Sequence, residues 1–143
     1  MWVDGVRQGR GTELWADGRR WLLLFLMTTG TGQLLRQALL LLFRYEGDWH
    51  DDVQHGEGTT TTAAGESYRG SWVEGDFDGH GVYVYSDGSK YEGNWRAGVR
   101  YGPGKFVWPN QEEYTGAWVA HKRNGRGKYE WPDGRRFVLG RCS

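Results

Sequence analysis

Cysteine is almost absent, with Cys142 the only one in 143 residues. No disulfide can close within the chain, which favours a reducing compartment and a cytoplasmic location. Residues 1–20 carry Gly and charged residues where a signal peptide needs an apolar core. Leucine is scarce outside residues 21–44. A compact globule around one aliphatic core is therefore a poor fit to this composition. Motifs for chemistry are missing as well. The Gly-x-Gly pairs never extend to Gly-x-Gly-x-x-Gly or to a Lys-Ser/Thr ending, so they do not form a phosphate loop. No Ser, His and Asp set sits in a nucleophile-elbow context, and Cys142 has no strong base partner in the sequence. His50, Asp51, Asp52 and His55 are metal-ligand types, but they share one acidic turn without a second ligand cluster and read as a solvated loop. The expectation is a non-enzymatic protein with no catalytic, cofactor-binding or metal-binding residues.

What the chain does contain is a period. Tyr45, Tyr68, Tyr91, Tyr114 and Phe137 stand 23 residues apart. Trp49, Trp72, Trp95 and Trp118 keep the same step, as do Gly47, Gly70, Gly93 and Gly116. So do the pairs Gly56/Gly58, Gly79/Gly81, Gly102/Gly104 and Gly125/Gly127. A fixed period in this range marks a repeat array. In Tyr91-Glu92-Gly93-Asn94-Trp95, aromatic and small residues alternate with polar ones at period two, as in a strand. A Gly-rich turn or bulge follows, then a second aromatic run such as Val82-Tyr83-Val84-Tyr85, closed by Asp87-Gly88 or Asp133-Gly134. One unit is thus two short strands and two turns. It cannot bury its own aromatics, but stacked copies can, in columns along a sheet. The glycine between each Tyr and Trp is expected to leave room for a ring from the next unit.

Tyr45-Glu46-Gly47-Asp48-Trp49 and its three copies, each followed by Gly-x-Gly, resemble MORN repeats. The resemblance implies an all-β, elongated single-sheet array of stacked β-hairpins, about 23 residues per unit. It also implies scaffold roles in cytoskeletal, ciliary or membrane-proximal assemblies, and use as an accessory array on lipid kinases or methyltransferases.

Taken in order, residues 1–20 match a partial repeat through Trp2, Gly5, Gly9, Gly11 and Asp17-Gly18, and the missing first strand suggests a fragment of a longer array. Residues 21–44 are a Leu-rich degenerate or inserted segment. Trp21, Phe25 and Gly32 sit at repeat landmarks, which supports a degenerate repeat. A short helix over Leu34 to Phe43 and a membrane span compete with it, as does a mis-assembled or retained non-coding stretch. The span ranks last of the three structural readings, because Thr28 to Gln33 splits the apolar run and Arg36 would cost on the order of 3 kcal/mol near a bilayer centre. Four repeats follow, 45–67, 68–90, 91–113 and 114–136, and residues 137–143 form a partial repeat or cap. In the first, Thr59 to Thr62 replace the aromatic run, so this unit should pack less well. Asp52 and His121 stand where other units have Gly, and Asn110-Gln111 replaces Asp-Gly.

Charge is uneven beneath a net value of zero. Residues 45–88 hold ten Asp/Glu against Arg69 alone, and residues 119–143 hold seven Lys/Arg against Glu130 and Asp133. Lys122, Arg123, Arg126, Lys128, Arg135 and Arg136 are candidates for an acidic partner surface or anionic phospholipid. Tyr83, Tyr85, Phe106, Trp108, Tyr129 and Trp131 fall on one strand face and form a candidate aromatic groove, although packing alone would explain most of them. Three readings follow: a protein-binding scaffold, peripheral phospholipid binding, and a targeting part of a larger enzyme. The acidic middle argues against nucleic acid. Homodimer pairing through the array ends is a further expectation.

Overall fold

The computed structural model describes residues 2–3, 6–7, 9–15 and 43–140. The competing readings of the Leu-rich segment fall almost wholly outside these residues. Trp2–Val3 (β1) and Val6–Arg7 (β2) pair as a separate two-stranded ribbon. Among the described residues ten strands make the main sheet: Gly9–Trp15 (β3), Phe43–His50 (β4), Val53–Thr62 (β5), Ser67–Val73 (β6), Asp76–Val84 (β7), Lys90–Arg96 (β8), Val99–Val107 (β9), Glu113–Val119 (β10), Lys122–Glu130 (β11) and Arg136–Leu139 (β12). All neighbours are antiparallel and follow sequence order, so the sheet is an open meander. At about 4.8 Å per strand it extends roughly 43 Å across its strands. The short run at the C-terminal end takes part, with β12 pairing β11 from Glu130↔Arg136 to Gly127↔Leu139.

Register repeats with the sequence. Gly47, Gly70, Gly93 and Gly116 lie opposite Gly58, Gly81, Gly104 and Gly127 within each hairpin. Just beyond each pair the second strand bulges, taking three steps from Gly127 to Asn124 while the first strand takes one from Gly116 to Ala117. β3 pairs directly with β4, Gly11 opposite Gly47 and Glu13 opposite Tyr45. That register matches the pairing of β5 with β6, Gly58 opposite Gly70 and Thr60 opposite Tyr68.

The glycine pairs explain the core. Tyr45, Tyr68, Tyr91 and Tyr114 are fully buried although the sheet is a single layer. Each ring lies flat on the glycine pair of its own hairpin. A Cβ built on Gly104 would come within 2.3 Å of the Tyr91 hydroxyl oxygen. The ring therefore comes from the same unit, two residues upstream, and the expectation of a ring from the next unit is corrected. The next unit contributes the tryptophan instead. Trp95 meets Tyr91 and the preceding Tyr68 edge-on, with centroids 5.1 and 5.6 Å apart. Trp118 does the same to Tyr114 and Tyr91. Its indole N–H donates to the Gly104 carbonyl at 3.2 Å, and Trp72 to that of Gly58.

The tight turns place two residues at positive φ. Glu74-Gly75 and Ala97-Gly98 put glycine second, but Asp51-Asp52 and Ala120-His121 hold Asp52 and His121 at φ 65° and 66°. Left-handed backbone costs a residue with a Cβ roughly 1–2 kcal/mol. His121→Gly should therefore stabilise the fold by about 1 kcal/mol, read as a higher urea midpoint at unchanged slope. A lower midpoint would mean that the contacts of the imidazole with Arg100 outweigh the strain.

Candidate functional site

The sheet has two unlike faces. One carries Tyr, Gly and Trp from the first strand of each hairpin and the aromatic run of the second. The other carries Asp48, Glu57, Ser71, Lys105, Glu113 and their neighbours, tied by contacts such as Ser71 Oγ to Glu57 (2.7 Å) and Lys105 to Glu113 (2.7 Å).

On the aromatic face the six groove residues of the sequence reading come together. Tyr83–Tyr85, Phe106–Trp108 and Tyr129–Trp131 are neighbouring pairs with centroids 4.5, 4.7 and 4.7 Å apart. Tyr85–Phe106 and Trp108–Tyr129, at 5.7 and 5.3 Å, join the pairs into one ladder of rings. Phe106 is buried and the other five are half-buried, so the ladder packs on the Tyr–Trp core with one side and faces outward with the other.

A second set of residues was not singled out as a column. Gln54, Phe77, Arg100 and Arg123 recur at the repeat period, two residues before each Gly-x-Gly. Phe77, Arg100 and Arg123 fold over the tyrosine of their own unit, and Gln54 is buried. Phe77 stacks on Tyr68 at 3.7 Å, and the guanidinium carbons of Arg100 and Arg123 lie 5.5 Å from the Tyr91 and Tyr114 centroids. Their residue type varies, so only the period itself could have revealed them. The backbone also links units here, because the N–H groups of Gly75, Gly98 and His121 donate to the carbonyls of Gln54, Phe77 and Arg100.

The two arginines give this face its electrostatic character. Arg100 lies 4.7 Å from the Trp118 centroid and donates through Nη2 to the His121 carbonyl (3.2 Å), while its buried Nε has no hydrogen-bond partner among the described residues. Arg123 sits 5.8 Å from the Trp108 centroid. Neither makes an ion pair among the described residues. Cation–π contact is what holds them against the rings.

The six basic candidates do not form one patch. Arg123 lies opposite Trp118 on the aromatic face, and Arg135 lies 5.4 Å from the Trp131 centroid while paired to Asp133. Strand alternation puts Lys122, Arg126, Lys128 and Arg136 on the other face, where Lys128 is paired to Glu130 at 2.7 Å. His50 and His55 are neighbours with rings 5.7 Å apart, but no group of three or more His, Cys, Asp or Glu among the described residues is placed to hold a metal. No helix among them is long and apolar enough to cross a membrane.

Burial tunes the tyrosines. It is the leading cause that pushes the Tyr91 phenol up to about 12, against the opposing charge of Arg100. Burial, the hydrogen bond to Glu66 and the charge of Glu66 push Tyr83 up to about 12 as well, and Tyr45 and Tyr68 are raised further. A raised phenol pKa favours the neutral form in the folded state. Its stabilisation is complete below the unfolded value of about 10 and is lost as pH climbs through the folded one. Alkali should therefore unfold the array cooperatively above about pH 10, with phenolate absorbance and loss of circular dichroism moving together. Independent titration of exposed tyrosines at their ordinary pKa would contradict this.

Compared with known protein families, the chain matches the model described as MORN repeat over residues 1–19, 45–67, 68–90, 91–112 and 114–135. No curated protein matches it significantly.

Proposed function

The chain belongs to the MORN-repeat family, and on that premise we propose that it is a non-enzymatic scaffold whose aromatic face binds other proteins. MORN repeats are generally interaction or membrane-association modules. The observation that carries the reading is the outward-facing ladder from Tyr83 to Trp131, bordered by Arg100 and Arg123 without carboxylate partners among the described residues. Rigid aromatics with adjacent guanidinium groups are the side chains that dominate protein interfaces. Cytoskeletal, ciliary or membrane-proximal assemblies in the cytoplasm are the settings we assign to it.

Site-specific photo-crosslinking tests this reading. A crosslinker replacing Tyr85, Trp108 or Trp131 in cells should yield discrete protein adducts, whereas one replacing Glu92 on the polar face should not. Adducts from Glu92 alone, or from no position, would overturn the reading.

Peripheral phospholipid binding is the second reading. It is supported by Lys122, Arg126, Lys128 and Arg136 sharing the polar face near one end of the sheet. Flotation with phosphoinositide liposomes across a salt series tests it. Binding that falls with salt and is lost in the Lys122→Glu, Arg126→Glu, Lys128→Glu variant would favour the membrane.

A further inference from the structure

One repeat has a hole where its neighbours have rings. Tyr83/Tyr85, Phe106/Trp108 and Tyr129/Trp131 occupy two equivalent positions in three consecutive units, and in the first unit those positions are Thr60 and Thr62. The register is unchanged: Thr60 lies opposite Tyr68 as Tyr83 lies opposite Tyr91. Among the described residues no side chain takes the place of those rings, and a cavity of about 310 Å³ opens there, with Thr60, Thr62, Glu66, Trp72, Phe77 and Tyr83 among its lining residues. That is at the small end of pockets that hold ligands, roughly 300–1,000 Å³.

Its chemistry is specific. The walls are mainly apolar and aromatic. Thr60 is 4% exposed, and its Oγ1 is buried without a hydrogen-bond partner among the described residues. An unmet buried hydroxyl costs free energy that an incoming donor would recover. Glu66 stands at the same cavity, its carboxylate accepting one hydrogen bond from the Tyr83 hydroxyl at 3.1 Å and paired to no cation among the described residues. Glu66 is the acidic residue among the cavity's described lining.

We propose that this cavity is an anchor pocket for one aromatic side chain with a polar edge, tryptophan or tyrosine, carried by a partner peptide in which a Lys or Arg flanks the ring. The ring takes the volume that Tyr83 or Phe106 fills in other units. Its N–H or O–H meets Thr60 Oγ1, and the flanking cation meets Glu66. The inference rests on the protein-binding reading of this face and names the class of partner it selects.

The test uses the full chain, its assigned amide and indole N–H resonances, and two blocked tripeptides, Arg-Trp-Arg and Glu-Trp-Glu. The basic peptide should shift Thr60, Thr62, Phe77 and the Trp72 indole, and should bind at least tenfold more tightly than the acidic one. Thr60→Tyr with Thr62→Tyr restores the rings of the neighbouring unit. It should raise Tm and abolish the response, so loss of binding cannot be ascribed to unfolding. Thr60→Val removes the hydroxyl at nearly constant volume and should weaken binding without lowering Tm. Glu66→Gln should erase the preference for the basic peptide.

An unchanged response in the filled variant would overturn the proposal. So would shifts confined to Tyr85, Trp108 and Trp131, which would leave the wider scaffold reading standing. A dimer that the filled variant converts to monomer would assign the cavity to a second copy. Binding seen only when residues 16–42 are replaced by a short linker would assign it to the chain itself. Either result overturns the partner-peptide proposal.

Discussion

Gly93→Ala should destabilise the array by about 3 kcal/mol or more, at the upper end of what overpacking a well-filled site costs. The added Cβ would lie 2.5 Å from the Gly104 Cα, 2.7 Å from the Tyr91 hydroxyl oxygen and 2.8 Å from the Pro103 carbonyl oxygen. Two of these neighbours are backbone of the paired strand and cannot swing away. The third belongs to a fully buried ring whose hydroxyl donates to the Asn94 carbonyl at 3.0 Å. Relief requires either spreading β8 from β9 or lifting Tyr91 off the sheet, and the second breaks its edge contacts with Trp95 and Trp118. Gly88→Ala is the comparison. No atom of the described residues lies within 4 Å of its Cβ position, and its φ of 85° is what opposes the change, so its cost should stay near 1–2 kcal/mol. Urea unfolding of both variants separates close packing from backbone strain. Equal losses would show that the paired strands and the Tyr91 ring yield to an added Cβ at little cost, since Gly93 is not at positive φ.

That distinction bears on how much of the protein its sequence discloses. The period in Tyr, Gly and Trp was enough for the hairpin array, because identical residues at equal spacing must form columns when hairpins stack in register. The strained turns were legible too, since Asp52 and His121 occupy positions that hold glycine in other units. The direction of ring contact was not. A period of 23 says that Tyr91 and Gly104 recur together, but a ring from either unit would satisfy it, and only the two-residue reach along one strand places Tyr91 on its own hairpin. The column of Gln54, Phe77, Arg100 and Arg123 escaped notice because its chemistry changes from unit to unit. The basic residues were grouped by proximity in sequence, whereas alternation along β11 sends Arg123 to the rings and Lys122 and Arg126 to the opposite face. The weak packing expected of the unit with Thr59 to Thr62 corresponds to the cavity beside Thr60.

Trp95→Ala should remove about 3–5 kcal/mol, the usual cost of truncating a buried aromatic, and should also change how the array unfolds. Trp95 is 5% exposed and lies where two units meet. Its ring contacts Tyr91 of its own unit and Tyr68, Phe77 and Tyr83 of the preceding one, and its indole N–H donates to the Gly81 carbonyl at 3.4 Å. In a linear array, stability is the sum of terms within units and terms between nearest neighbours. Most of the side-chain contact between units 68–90 and 91–113 passes through this residue, so its loss weakens the coupling more than it weakens either hairpin. The wild-type chain should unfold in urea in one transition. The variant should show two, each with a smaller slope, because each exposes only part of the surface. Trp95→Phe keeps a ring at the junction and loses chiefly the indole hydrogen bond, which costs about 1 kcal/mol, and it should retain a single transition. A single transition of unchanged slope in Trp95→Ala would mean that backbone pairing across β7 and β8 carries the coupling, and that the tryptophan column stabilises each unit separately.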